Sequence, residues 1–282
     1  MNKRRKILYL AAMIILIIIM IAIMTFKEMY YNIQNPPKNL LVAGSTTLNL
    51  YLRALADSFM KVYPNITVIT AGGGSTAGLI AVKKGAIDIG GTSRELTGAE
   101  DDEYTKAYLI GRDGVAIVVP KVNPVSNLSI DQIRDIFEGR IDNWKDVGGN
   151  DAPIAVFIRD EEATTRGGFE ELVMSGAEYV PTAVTCNSHP ELAAAMDKNV
   201  NSIGYFRDHW LSSELGKNLK ALSIDGVQLS EKAELTGQYP LTRSFFFVFD
   251  GDPKGIAKLF LDYACSEAGQ AVMTKLGAIA VY

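Results

Sequence analysis

The sequence predicts a two-lobed α/β protein with a two-strand hinge, carried behind an N-terminal transmembrane helix. Three observations predict it. Over the first hundred residues, β-like apolar runs alternate with stripes of helical period, the pattern of a parallel sheet packed by helices. A change of unit follows at Pro120 and Pro124, and a strand and a helix return only at the C-terminus, so the middle of the chain reads as an insertion. Finally, Lys3-Arg4-Arg5-Lys6 precedes an uncharged stretch from Ile7 to Phe26.

That stretch, as a helix, is about 30 Å long and crosses a bilayer. The basic cluster before it orients the N-terminus to the cytoplasm and the rest of the chain outside. It is long for a signal-peptide core and no A-x-A site follows it, so the expectation is an uncleaved signal anchor in the cell membrane, with a cleaved signal peptide and secretion as the alternative. Residues 27–38 carry Pro36-Pro37 and read as a tether.

The elements follow in order. Leu40–Ala43 reads as a strand, and Leu48, Leu52, Leu55, Ala56, Phe59 and Val62 form one helical stripe. Ile66–Thr70 is a β-branched strand, Ala77–Lys84 a short helix closed by Gly85, and Ile87–Gly90 another strand. Glu100-Asp101-Asp102-Glu103 reads as a solvated acidic loop. Val115–Val119 is a buried-type strand ended by Pro120. Ser129 and Gln132 form a capping box for a helix carrying Ile130, Ile133, Ile136 and Phe137, which stops at Gly139. Ile154–Ile158 is a strand, Phe169–Val173 and Pro190–Asp197 are helices, and Ser202–Phe206 is a strand. Phe245–Phe249 is strand-like by its aromatics, Ala257–Leu276 is one long helix, and Ala278–Val281 a final strand. With the crossings at Val115–Pro120 and Pro240–Phe249, residues 1–38 are anchor and tether, 39–118 with 241–282 form lobe I, and 119–240 form lobe II. A cleft between two such lobes is where a ligand binds.

Composition narrows the function. Of 28 basic and 32 acidic residues, six basic and one acidic lie in residues 1–38, so the remainder carries 22 against 31, a net −9. Such a domain is a poor partner for nucleic acid, whose binding rests on cationic contacts to phosphates. Cys186 and Cys265 fall in different lobes and read as free thiols. The two histidines, His189 and His209, lack metal-ligand spacing, and no nucleophile elbow stands between a strand and a helix. No enzyme, cofactor or metal site is expected. Gly72-Gly73-Gly74-Ser75-Thr76-Ala77 fits a dinucleotide pattern, but the helix behind it is short and Asp88 lies inside its strand rather than at its end.

Four loops of small residues carry the positive signal: Gly44-Ser45-Thr46-Thr47, Gly72–Thr76, Gly90-Gly91-Thr92-Ser93 and Ala163-Thr164-Thr165. Each follows a strand and precedes a helix-like run, presenting backbone N–H groups and hydroxyls to an oxyanion. The plainer reading makes Thr46, Thr47 and Ser75 ordinary N-caps. Arg159 ends the strand before the fourth loop, where its fork suits a tetrahedral anion, with Glu161 as a candidate partner. Arg166 fits a helix-face salt bridge equally well.

These stretches, with Asp88–Leu96, Asn143-Trp144, Ile203-Gly204-Tyr205, Tyr239-Pro240-Leu241-Thr242-Arg243 and Gly269-Gln270, resemble the substrate-binding protein of the phosphate ABC importer, the PstS family, from about Leu40 to Val281. The resemblance implies a type II periplasmic-binding fold, a monomer that closes over inorganic phosphate and hands it to an ABC permease. The residues it implies at the ligand are Thr46, Thr47, Ser75, Ser93, Arg159, Ala163, Thr164 and Thr165. Two departures stand out. Some members carry Asp where this chain has Ser93, and an acceptor-only carboxylate discriminates a protonated anion better than a hydroxyl does. The usual Ser-Gly-Thr is here Ala163-Thr164-Thr165, so either the site uses fewer side-chain contacts or Thr164 substitutes. Sulfate or molybdate as ligand, and a membrane-anchored sensor or matrix component as role, are the alternatives.

Overall fold

The computed structural model describes residues 17–21, 38–161, 163–207, 211 and 213–282. The expected membrane helix lies mostly outside them. Residues 17–21 are helical and exposed, and among the described residues no helix is long and apolar enough to cross a membrane.

Two mixed five-stranded sheets, each with its own core, form the two lobes. The chain opens with β1 (Lys38–Gly44), α1 (Asn49–Val62), β2 (Ile66–Gly72), α2 (Ser75–Lys83), β3 (Ile89–Thr92) and β4 (Thr105–Gly114). It crosses into β5 (Ala116–Pro120), β6 (Asn127–Leu128), α3 (Ile130–Glu138), β7 (Ala155–Arg159), α4 (Thr164–Phe169), β8 (Val184–Cys186), α5 (His189–Asp197), β9 (Ser202–Phe206), β10 (Leu219–Ala221), β11 (Ser223–Ile224) and α6 (Glu231–Leu235). It returns as β12 (Thr242–Asp250), α7 (Gly255–Cys265) and α8 (Glu267–Lys275). The first sheet runs β2-β1-β3-β12-β4 and the second β10-β5-β9-β7-β8.

The apolar stripe of α1 buries Leu52, Leu55 and Phe59 against β12 and α7, where Phe59 meets Phe260 edge-on at 5.0 Å. The second lobe buries Ile133, Ile136 and Phe137 of α3 together with Trp144, Phe169 and Tyr205. The capping box is present: Gln132 N–H donates to Ser129 Oγ, the Ser129 N–H donates to the Gln132 side chain, and Gly139 ends α3 in the left-handed conformation. Cys186 is buried, Cys265 half-buried, and both are free.

Several expectations are corrected. The first sheet is mixed rather than parallel, because β12 returns antiparallel between β3 and β4. β4 itself escaped a sequence reading that began the strand at Val115; its apolar run, Ala107–Ile110, is flanked by the polar pairs Thr105-Lys106 and Arg112-Asp113. Ala257–Leu276 is two helices. Ser266 takes an extended conformation between them and its hydroxyl accepts the Gly269 N–H, the competing cap that short polar side chains offer. Ala278–Val281 makes only an isolated bridge, Arg112 to Ile279. The helix after the fourth loop begins at Thr164 and runs into a π turn, Glu170–Met174. The acidic loop is engaged, since Asp102 pairs with Lys83 and Glu100 with Arg94.

The two crossings between sheets lie side by side, with the Val115 N–H donating to Leu241 C=O at 3.0 Å. Beside them is a buried ion cluster. Asp113, 1% exposed, accepts from Arg207 Nη1 at 2.6 Å and from Arg243 Nη2 at 2.8 Å. Arg207 follows β9 of the second sheet, and it also donates to Tyr51 Oη at 2.7 Å and Gly277 O at 3.0 Å, so it ties one lobe to the other. Burial pushes the Tyr51 phenol well above its usual range, keeping it neutral. Removing one partner of a buried pair strands the others. Asp113→Asn is expected to cost about 3 kcal/mol or more, read as a lowered urea midpoint.

Candidate functional site

Parallel pairing of β1 with β2 and with β3 puts the C-terminal ends of all three strands at one sheet edge. The first three small-residue loops therefore meet. The Ser45 N–H donates to Gly91 O at 2.8 Å and the Gly74 N–H to Gly44 O at 2.9 Å. Ser45 Oγ donates to Ser93 Oγ at 2.9 Å, and the Ser93 N–H donates to Ser75 Oγ at 3.3 Å. This closeness needs Gly44, where a Cβ would strike the Gly91 carbonyl oxygen.

The N-cap reading of these hydroxyls does not hold. α1 is capped at Leu48 and α2 at Gly74, neither with a side-chain cap bond. Ser45 Oγ accepts the Leu48 N–H at 3.2 Å, Thr47 is half-buried, and Thr46 is exposed. The hydroxyls of Thr47 and Ser93 face the cleft and donate to one carboxylate, Glu171 of the second lobe, at 3.1 and 2.8 Å.

The fourth loop meets the first. Ala163 caps α4, Thr165 is buried, and a Cβ on Gly167 would sit 4.0 Å from the Thr47 methyl. Gly168 allows α4 its approach to the hinge, since a Cβ there would lie 2.8 Å from Arg243 Nη2. Arg159 is brought to the same strand end but its guanidinium faces into the second lobe. It donates to Cys186 O at 3.1 Å, Asn187 O at 3.2 Å and Asp160 Oδ2 at 3.0 Å. Its charged partner is thus Asp160 and not Glu161. Arg166 takes the salt-bridge role, pairing with Glu170 at 2.7 Å one helical turn on. His189 stacks on Phe206 at 5.3 Å, and His209 lies outside the described residues.

Sequence reasoning missed two residues. Arg243 is 3% exposed, and its Nη1 donates to Glu171 Oε2 at 2.9 Å. The signal for it was a cation leading into the apolar run Phe245–Phe249. Glu171 offered no signal, since a carboxylate on a helical run ordinarily faces solvent. Between the lobes opens a cavity of about 410 Å³ lined by Ser93, Arg94, Arg112, Glu171, Arg243 and Ser244. Among the described residues no group of His, Cys, Asp and Glu is placed to hold a metal ion.

A hydroxyl-rich sheet edge with a buried arginine beside it, opening on an interlobe cleft, is an arrangement for holding an oxyanion. Residues 32–268 match the model of the PBP superfamily domain. The phosphate-binding protein PstS of Bacillus subtilis is 33% identical over 249 residues, covering 86% of this chain and 81% of that protein. The chain belongs to the PstS family. An ABC-type phosphate transport receptor from Vibrio cholerae matches in structure with a TM-score of 0.68 at 32% identity, over 85% of this chain and 99% of the receptor. PstS from Borrelia burgdorferi, at 22% identity, shares the fold with a TM-score of 0.73, over 86% of this chain and 98% of its own.

Arg94 shows how charge at the PstS-type cleft is apportioned. It forks onto Glu100 at 2.7 and 2.8 Å, which leaves it neutralised beside Ser93. The hydrogen bonds from Arg94 bring the Glu100 carboxyl down to about 2. A lowered folded-state pKa stabilises above the unfolded value and is lost as pH falls from there. Stability is expected to fall between about pH 4.3 and 2, and urea midpoints across that window are expected to fall less in Glu100→Gln.

Proposed function

We propose that this protein captures inorganic phosphate between its two lobes outside the cell and delivers it to the permease of an ABC importer. It performs no reaction. The single observation that carries the reading is the convergence of three hydroxyl-bearing loops beside Arg243, in a chain of the PstS family. Relatives named for phosphate binding or transport make phosphate the ligand favoured over sulfate or molybdate.

The ligand's seat is proposed to be Thr46, Thr47, Ser75 and Ser93 on lobe I, with Arg159, Ala163, Thr164 and Thr165 on lobe II. Arg243 joins them from the hinge. Arg159 in this role turns its guanidinium from the Cys186 and Asn187 carbonyls toward the cleft. The lobes are proposed as 39–118 with 241–282, and 119–240. Sheet membership supports that division, with the first crossing drawn back to Val115 because Ala116–Pro120 joins the second sheet. Residues 7–26 are proposed to anchor the monomer in the cell membrane, on the strength of their length and the preceding basic cluster.

Closure exchanges phosphate's water shell for charge-assisted hydrogen bonds of about 1.5–3 kcal/mol each. Calorimetry is expected to show phosphate binding at micromolar protein, weakened about tenfold in Thr47→Val and in Ser75→Ala; no heat with phosphate overturns the reading. For the anchor, alkaline extraction of membranes is expected to leave the full-length chain in the pellet, and a soluble product starting beyond residue 26 overturns it.

A further inference from the structure

The interlobe cavity is larger than a single tetrahedral oxyanion needs. Its volume of about 410 Å³ falls among pockets that take small organic ligands, whereas one water occupies only about 30 Å³ of the liquid. Beyond Ser93 its wall is built from Arg112 of β4, Thr242 and Ser244 of β12, and Thr236 and Gly237, which follow α6. β4 and β12 belong to the first sheet, and α6 comes from the chain of the other lobe. This far end therefore also lies between the lobes.

The charges that line the cavity are mostly committed. Arg94 pairs with Glu100, and Arg243 with Asp113 and Glu171. Glu95 is exposed, where solvent and salt screen it. Arg112 differs from the other two arginines. Among the described residues it has no carboxylate partner, and its guanidinium donates only to the Ser244 hydroxyl. Its Nε is buried without a hydrogen-bond partner, as is Thr242 Oγ1 in the same wall. Gly237, at φ +69°, brings its backbone against this guanidinium, since a Cβ there would lie 2.9 Å from Arg112 Nη1. A half-buried cation with no counter-charge, next to unsatisfied hydroxyl capacity and open space, is a seat for an anion.

Resting on the phosphate reading above, we infer that Arg112, Thr242 and Ser244 form a second anion subsite in this cavity. The ligand class it serves is a phosphoryl group joined to a second anionic group, with diphosphate as the simplest member. One phosphoryl group sits on the loops of Thr47, Ser75 and Ser93. The other meets Arg112, whose planar fork matches two phosphoryl oxygens. Ser244 receives the Arg112 proton and keeps its own to donate, and Thr242 adds a second hydroxyl. Orthophosphate fills the first seat alone. A phosphate ester with an uncharged tail reaches the second seat but gains nothing from its cation.

The test is calorimetry on the full chain and on Arg112→Gln with orthophosphate, diphosphate and glycerol 3-phosphate. The wild type is expected to bind diphosphate about tenfold or more tighter than glycerol 3-phosphate, and saturating orthophosphate is expected to compete it away. In Arg112→Gln diphosphate is expected to weaken about tenfold or more, with orthophosphate and glycerol 3-phosphate held within about twofold and thermal unfolding confirming a folded variant. Equal weakening of all three probes overturns the subsite, because Arg112 then acts on the first seat. A wild type that favours glycerol 3-phosphate or holds it as tightly as diphosphate also overturns it, whether or not the variant folds. So does diphosphate heat that persists under saturating orthophosphate, which makes the two seats independent. Absence of orthophosphate binding overturns the phosphate reading and the subsite with it, whereas orthophosphate binding without diphosphate binding removes the subsite alone.

Discussion

The cleft is organised by one buried carboxylate, Asp113, gripped by two arginines at the crossing between lobes. Asp113 closes β4, Arg243 opens β12, and Arg207 follows β9 of the other sheet. A buried charge is tolerated only when its partners are in place. This cluster therefore links hinge, lobes and ligand cleft through one set of contacts. Its outer edge is Arg243 Nη1, which reaches Glu171, so the electrostatics of the cleft begin where the ion cluster ends.

The anion-holding loops follow from sheet topology. Strands that run parallel present their C-terminal ends along one edge, and the loops that leave them face the same space. β1, β2 and β3 obey this, which is why loops far apart in sequence share hydrogen bonds. β7 brings the fourth loop from the second sheet, and Gly168 lets α4 come close to Arg243. The antiparallel return of β12 takes nothing from that edge, and it carries Arg243 to it.

Legibility in the sequence tracked how local each feature is. The stripe of α1, the capping box at Ser129, the closing Gly85 and Gly139, and the strands around Leu40, Ile66 and Ser202 are set by neighbours a few residues away, and they stand as read. Ser45 and Ser93 were visible as members of small-residue loops. Their mutual hydrogen bond was not, because it joins positions 48 residues apart. β4 was missed because its short apolar run is flanked by polar residues, one of which, Asp113, is satisfied only by the distant Arg243 and Arg207. The single long C-terminal helix failed at Ser266 because a cap and an interior residue look alike until the backbone has chosen.

The sequence by itself determined the class of the protein: an α/β chain with an inserted lobe, an acidic domain after residue 38, loops suited to an oxyanion, and motifs in the order of the PstS family. These depend on periodicity, composition and spacing, which are properties of the chain alone. The tertiary structure decided which charges matter. Arg159, the cation that sequence favoured, is turned into its own lobe by the Cys186 and Asn187 carbonyls, while Arg243 and Glu171 reach the cleft. The physical reason is that a side chain's role depends on what lies across the cleft. Thr47 and Glu171 are 124 residues apart in sequence and 3.1 Å apart in space.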